Sequence, residues 1–227
     1  MIVGKNNPSA GFGKLPDDAS AGSACAAGDE DVFIAEIDVD HKLSSLSKVY
    51  NLNMEKISLD DLIKMLQLTP LTGEGGMIGQ PYVSDEFVKD GTFQGRKGDR
   101  PVCATIYYAL NENSFSCMHR LTGDEIWYYH YGPALKMLLI YPDGHYEIKK
   151  LGMDLKNGER PQVTVPRGTW QGSLQDEPGD FTLVSTSMAP RYMDSDFEAG
   201  TYEELKKYLS EKDFPLLKKL TAEPVFR

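Results

Sequence analysis

His119 and Glu125 are the residues of this chain whose types and spacing best suit chemistry. They lie six positions apart in Ser116-Cys117-Met118-His119-Arg120-Leu121, the turn signal Thr122-Gly123-Asp124, and Glu125-Ile126-Trp127-Tyr128-Tyr129-His130-Tyr131-Gly132. Side chains of a strand alternate faces, so two short antiparallel strands on either side of that turn can aim both groups inward. An imidazole facing a carboxylate in an enclosed space can bind a metal, move a proton or hold a polar ligand. Alternation also points Trp127 and Tyr129 inward with Glu125, joined by Tyr107, or else its neighbour Tyr108, from a preceding strand. Aromatic walls with a few polar groups suit a sugar ring or a flat metabolite, although a barrel interior must also be packed.

The elements that must position these groups are short and strongly punctuated. Strands are expected at 79–83, 92–96, 102–110, 114–121, 125–131, 135–141, 145–151, 161–166 and 181–188, separated by turns such as Pro142-Asp143-Gly144 and Pro178-Gly179-Asp180. This pattern predicts an all-β sandwich or barrel. Before it, Ser58 as N-cap and the apolar stripe Leu59, Leu62, Ile63, Leu66 predict a short helix. After it, Thr201-Tyr202-Glu203-Glu204 reads as a capping box leading into a helix through Leu205 to Leu209, broken at Pro215. Residues 1–45 read as a flexible N-terminal extension with a candidate edge strand at 32–39, and 46–227 as one folded domain.

Composition narrows the class. No stretch approaches the roughly 18 apolar residues of a membrane-spanning helix, and the N-terminus has neither a basic leader nor an apolar core of a signal peptide. Cys25, Cys103 and Cys117 are odd in number and lack CxxC spacing, which disfavours a disulfide framework or a structural zinc site. A net charge of −10, from 24 basic and 34 acidic residues, disfavours binding to nucleic acid or an anionic membrane. The expectation is a cytoplasmic protein acting on a small-molecule ligand, with no nucleic-acid or membrane partner.

The ordered blocks resemble the cupin superfamily, small jelly-roll barrels, and within it the cupin-5 branch, a family of unknown function. His119, Glu125 and Gly132 fall at the spacings of the first cupin motif, and Pro166-Arg167-Gly168-Thr169-Trp170-Gln171 resembles the second. Glu74-Gly75-Gly76, Ala104-Thr105-Ile106-Tyr107-Tyr108, Met188-Ala189-Pro190 and Asp196-Phe197-Glu198 are similar to further blocks of that branch. The resemblance implies a cupin jelly-roll β-barrel with a short N-terminal helix and a C-terminal helix. It spans roughly residues 58–200.

The departures shape the functional expectation. Metal-binding cupins use two histidines and a glutamate of the first motif and a histidine of the second. Here those second and last histidine positions are Leu121 and Gln171. Leucine cannot coordinate, and glutamine is a weak neutral donor. No cofactor is expected, and the most the site offers a divalent metal is a weak set of His119, Glu125 and Gln171. His130, five residues from Glu125, points to the opposite strand face. The leading reading is a metal-independent isomerase, epimerase or lyase with His119 and Glu125 as the acid–base pair, acting on a carbohydrate-like or polar metabolite. Ligand-binding candidates are Tyr107, Trp127, Tyr129, Trp170, Gln171 and Glu74. The alternatives are a non-catalytic ligand-binding or sensor cupin and a metal-dependent oxygenase. Sheet extension through 32–39 makes a homodimer the expected assembly.

Overall fold

The computed structural model describes residues 57–223. The expected extension (1–45), its strand at 32–39 and the link to the folded domain at 46–56 lie outside the described residues. Chain order begins with helix α1 (Leu59–Leu66). Its start follows from local chemistry: the Ser58 hydroxyl accepts from Asp61 N–H, and the Asp61 carboxylate reaches back to the Ser58 N–H, satisfying two otherwise orphaned donors.

The strands follow as β1 (Thr69–Pro70), β2 (Met77–Val83), β3 (Phe87–Val88), β4 (Arg100–Pro101), β5 (Ala104–Leu110), β6 (Ser116–Leu121), β7 (Glu125–Tyr131), β8 (Leu135–Ile140), β9 (Tyr146–Leu151), β10 (Gln162–Val165), β11 (Trp170–Gln175), β12 (Thr182–Met188) and β13 (Phe197–Ala199). Among the described residues they form a six-stranded sheet, β1-β2-β5-β12-β7-β10, a five-stranded sheet, β13-β6-β11-β8-β9, and a two-stranded sheet, β3-β4. The pairings β5–β12, β6–β11, β7–β10 and β8–β9 are antiparallel. They nest the eight central strands first with last and inward from there, which is the jelly-roll connection.

The core between the sheets holds Tyr108, Trp127, Met137, Leu139, Val163 and Val184, with other apolar side chains. The outer faces are covered in part. Helix α1 lies on β5 and β12 through Leu62, Leu68, Ala109 and Phe181. Helices α2 (Tyr202–Leu205) and α3 (Phe214–Leu220) pack over β6, β8 and β11 through Leu205, Leu217, Leu138 and Ile140. Strand β8 is therefore buried on both faces, which is why its sequence is nearly continuously apolar rather than alternating.

Three local expectations need correction, and one central strand was not expected. Residues 92–96 are not a strand: Gly91, Gly95 and Gly98 take φ of 79°, 82° and 80°, and the carboxylates of Asp90 and Asp99 accept backbone N–H groups across the loop at 2.7 and 2.9 Å. Pro215 does not break the C-terminal helix but sits in the first turn of α3, where its missing N–H has no intrahelical partner to lose. The helix expected over 205–209 is only α2 followed by a 3-10 turn over Lys206–Tyr208. Strand β11 was hidden in the sequence because Gly172 and two glutamines dilute its pattern, yet Gly172 is required there. A Cβ at 172 would meet the Met118 sulfur at 2.7 Å.

Candidate active site

One end of the barrel interior encloses a cavity of about 120 Å³. Its apolar wall comes from Leu71, Ile78, Ala104, Ile106, Leu121 and Met188, and its polar wall from Glu74, Gln80, Glu125, Thr186, Arg191 and Tyr192. Gln80 is exposed and so lies where the cavity opens.

Glu125, at the start of β7, is buried yet reaches the cavity. Gln171 Nε2 donates to its Oε2 at 2.6 Å, and Thr186 lines the cavity with it. Burial, reinforced by the negative charge of Glu74, raises its pKa above the ordinary glutamate value, with His119, Thr186 and Gln171 only partly opposing this. A carboxyl in such a place favours its protonated form.

Glu74 stands in the loop between β1 and β2, and the two glycines after it make that position reachable. Gly75 and Gly76 have φ of 108° and 69°, and a Cβ on Gly76 would come within 2.7 Å of Leu110 and 2.9 Å of the Ala109 carbonyl. The loop therefore lies tight on β5 and β6. Tyr108 OH donates to the Gly75 carbonyl at 2.8 Å, and Cys117 N–H to the Glu74 carbonyl at 2.8 Å. The Glu74 carboxylate accepts from Ser116 Oγ at 2.8 Å and lies 4.0 Å from His119 Nε2.

His119 sits behind this wall rather than in it. It is 1% exposed, its ring stacks on Phe197 at 5.2 Å, and its Nδ1 lies 2.8 Å from the Cys117 carbonyl. A carbonyl can only accept, so Nδ1 carries the proton and Nε2 faces Glu74. The Cys117 thiol, pushed up to about 12 by burial and by Glu74, stays protonated and is no nucleophile.

The aromatic candidates belong to the packing, not to the cavity wall. Trp127 is 1% exposed, packs edge-on against Tyr108 at 5.7 Å and donates from Nε1 to Gln171 Oε1 at 3.0 Å. Tyr129 faces the interior core away from the cavity and donates its hydroxyl to the Gly132 carbonyl. Tyr107 lies on the outer face of β5 with the α1 cluster, and its neighbour Tyr108 takes the interior place. Trp170 is on the outer face of β11 beneath the Arg120 guanidinium, 4.5 Å from its ring. Arg120 in turn makes a two-pronged ion pair with Glu198 at 2.8 and 2.7 Å. His130 is on the outer face, 2.7 Å from Ser185 Oγ.

The donor set does not fit a metal. An indole N–H can only donate, so the Gln171 carbonyl oxygen must face Trp127 and its NH₂ must face Glu125. A cation beside Glu125 would therefore meet N–H hydrogens, which corrects the expectation that Gln171 supplies an oxygen ligand. Leu121 adds an apolar side chain. Among the described residues no group of three His, Cys, Asp or Glu is placed to hold a metal ion.

Arg191, Tyr192, Thr186 and Gln80 were missed as cavity residues. Thr186 was legible, since Val184, Thr186 and Met188 share the inward face of β12 by alternation. Arg191 and Tyr192 follow the Met188-Ala189-Pro190 block on a segment that leaves β12 through the cis Ala189–Pro190 peptide. That segment is pinned by a buried ion pair: Arg100 Nη1 lies 2.7 Å from Asp196 Oδ2, both side chains 2% exposed. Asp196 also accepts from Thr122 Oγ1 at 2.6 Å and from Met193 N–H at 2.9 Å. Burial and then the nearby acids Asp194 and Glu74 raise the Tyr192 phenol to about 12.

Comparison with known proteins agrees with this architecture. Residues 60–200 match the cupin-5 family, described as Cupin superfamily (DUF985). The chain is 31% identical over 155 residues to the uncharacterized protein YML079W of Saccharomyces cerevisiae, covering 64% of this chain and 75% of that one. The crystal structure of protein SO0799 from Shewanella oneidensis is 34% identical, with a TM-score of 0.63 over 73% of this chain and 98% of that one. A hypothetical protein from Leishmania major is 28% identical, with a TM-score of 0.60 over 75% and 99%. Among the described residues no helix is long and apolar enough to cross a membrane.

Proposed function

The chain belongs to the cupin-5 family of the cupin superfamily, and on that premise we propose that it is a metal-independent proton-transfer enzyme, an isomerase, epimerase or lyase of small polar metabolites. The observation that carries the reading is Glu125: a carboxyl whose burial and whose neighbour Glu74 favour its protonated form, yet which reaches the cavity wall. Two neighbouring carboxyls, one of which is biased toward its protonated form, are suited to opposite roles.

Glu125 is then the general acid and Glu74 the general base. With an α-hydroxy carbonyl compound bound, Glu125 donates its proton to the carbonyl oxygen while Glu74 removes the proton from the adjacent carbon, forming an enediol; a 2-oxo acid gives the enol in the same way. Glu74 returns that proton to the neighbouring carbon or the opposite face, and Glu125 recovers its own from the hydroxyl. No atom is gained or lost, so the product is an isomer. In the lyase variant the enediol expels a β-substituent instead. His119 is a positioning residue, standing behind Glu74 with its Nε2 4.0 Å from the carboxylate. This revises the pairing of His119 with Glu125, because the group that reaches the cavity beside Glu125 is Glu74.

The test is solvent exchange followed by NMR. Wild-type protein incubated in D₂O with short aldoses, ketoses and 2-oxo acids is expected to place deuterium at the carbon next to the carbonyl. Glu125→Gln and Glu74→Gln are each expected to slow this by about 100-fold or more, and chelator treatment is expected to leave it unchanged. A metabolite that binds in the cavity and is neither exchanged nor converted establishes the non-catalytic sensor reading instead. Turnover abolished by a chelator and restored by a metal sinks metal independence.

A further inference from the structure

Arg191 presents a charge that the protein leaves unpaired. It lines the cavity, its Nε is shut from solvent without a hydrogen-bond partner, and among the described residues its side chain forms no hydrogen bond or ion pair. Neighbouring arginines are treated differently: Arg100 is engaged by Asp196 and Arg120 by Glu198. The stem of Arg191 is nonetheless fixed. Its N–H donates to the Pro101 carbonyl at 3.0 Å, and its carbonyl accepts from Arg100 Nη1 at 3.4 Å. A partly buried guanidinium, clamped at its backbone and lacking a partner, is costly unless something it binds supplies the anion.

We infer that Arg191 anchors the carboxylate of the substrate, and that the substrate class is a small 2-oxo or 2-hydroxy monocarboxylate of about two to four carbons. This rests on the reading of the cavity as a proton-transfer site. Size supports the short chain. An apolar cavity of about 150 Å³ accepts benzene, so 120 Å³ suits a ligand of about five or six non-hydrogen atoms and is too small to enclose a hexose. The expectation of a sugar ring is narrowed accordingly. Donors support the charge. Tyr192 keeps its phenolic proton to about pH 12 and can add a second hydrogen bond. Glu125, when protonated, adds no negative charge. Glu74 alone opposes the anion among the cavity-lining acids. With the carboxylate on Arg191, Glu125 is left for the oxygen on C2, and Glu74 for the C3 proton of a 2-oxo acid or the C2 proton of a 2-hydroxy acid.

Calorimetric titration and thermal shift of the full chain test this with glycolate, lactate, pyruvate and 2-oxobutyrate. Glycolamide and lactamide are the neutral counterparts, and gluconate is the oversized one. At least one short carboxylate is expected to bind wild-type protein at least ~10-fold more tightly than its amide. Arg191→Gln is expected to lose about 10- to 100-fold for carboxylates and nothing for amides. Arg191→Lys, which keeps the charge and guards against a folding defect in the first variant, is expected to recover part of the loss. Equal binding of carboxylate and amide, equal binding to wild type and Arg191→Gln, or no binding of any short carboxylate overturns the anchor. Arg191-dependent binding without proton exchange sinks the proton-transfer reading and leaves the anchor standing. Proton exchange on a short 2-oxo acid that Arg191→Gln does not slow does the reverse.

Discussion

Trp127 Nε1 donates to Gln171 Oε1 at 3.0 Å, and this one hydrogen bond decides which end of the Gln171 amide meets Glu125. The amide NH₂ then donates to Glu125 at 2.6 Å. A core tryptophan thus sets the electrostatics of a carboxyl it does not touch. Gln171→Leu is expected to orphan the indole N–H and one Glu125 oxygen together, costing about 1–3 kcal/mol for each group left unsatisfied. In urea denaturation, Trp127→Phe added to Gln171→Leu should cost less than the sum of the two single changes. Strict additivity would show that the chain from Trp127 to Glu125 is not coupled.

Glu125 makes stability depend on pH with a definite sign. Its folded-state pKa is raised by burial and by Glu74, so the folded state holds a proton that the unfolded chain releases earlier. Stability contributed by that proton is present below the unfolded glutamate value, about 4.3, and is lost as pH rises through the folded value. Glu125→Gln keeps the shape without the ionisation. It is expected to flatten this fall and to match or exceed wild-type Tm above that window while losing activity. A steeper fall in the variant, read from Tm across pH, would contradict the assignment of the buried proton.

The Arg100–Asp196 pair is expected to be a structural keystone for the cavity segment. Asp196→Ala leaves the buried Arg100 guanidinium without its carboxylate and should cost about 3–5 kcal/mol. Because the same pair pins the stretch bearing Arg191 and Tyr192, ligand affinity should fall even where the variant is fully folded. A loss below about 1 kcal/mol in chemical denaturation would place the pair among solvent-screened surface bridges, contrary to its burial.

Two neighbouring glycines should respond differently to alanine. Gly73 has φ of 89° and open space where a Cβ would stand, with no atom within 4 Å. Gly76 has φ of 69°, and a Cβ there would run into Leu110 and the Ala109 carbonyl. Gly73→Ala should cost only the left-handed backbone penalty, about 1–2 kcal/mol. Gly76→Ala should add about 1–3 kcal/mol of overpacking and displace Glu74, lowering activity more than stability explains. Equal effects in thermal denaturation would mean that the loop does not depend on its approach to β5.

Much of the frame was legible from local chemistry. The Ser58 cap, the alternation across β7 and β12 and the turn between His119 and Glu125 are short-range patterns that the chain writes within a few residues. They were enough to expect an all-β sandwich or barrel with Glu125 turned inward, and the resemblance of the ordered blocks to cupins narrowed this to a jelly roll. Alternation assigns a side chain to a face, however, and not to what lies across that face. Trp127, Tyr129 and the interior place of Tyr108 have the same inward sense as Glu125, yet all three are consumed by packing. Trp170 and Tyr107 face outward under other elements.

The sequence by itself determined the barrel, the inward carboxyl and the loss of the histidines at Leu121 and Gln171, because these depend on residue type and near-neighbour spacing. Only the tertiary structure decided which polar groups share the cavity. Glu74 arrives on a glycine-turned loop 45 positions before His119, and Arg191 on a segment held by an ion pair 96 positions apart. Such juxtapositions are settled by which buried charge finds its partner and which backbone can approach closely, and those are properties of the packed chain.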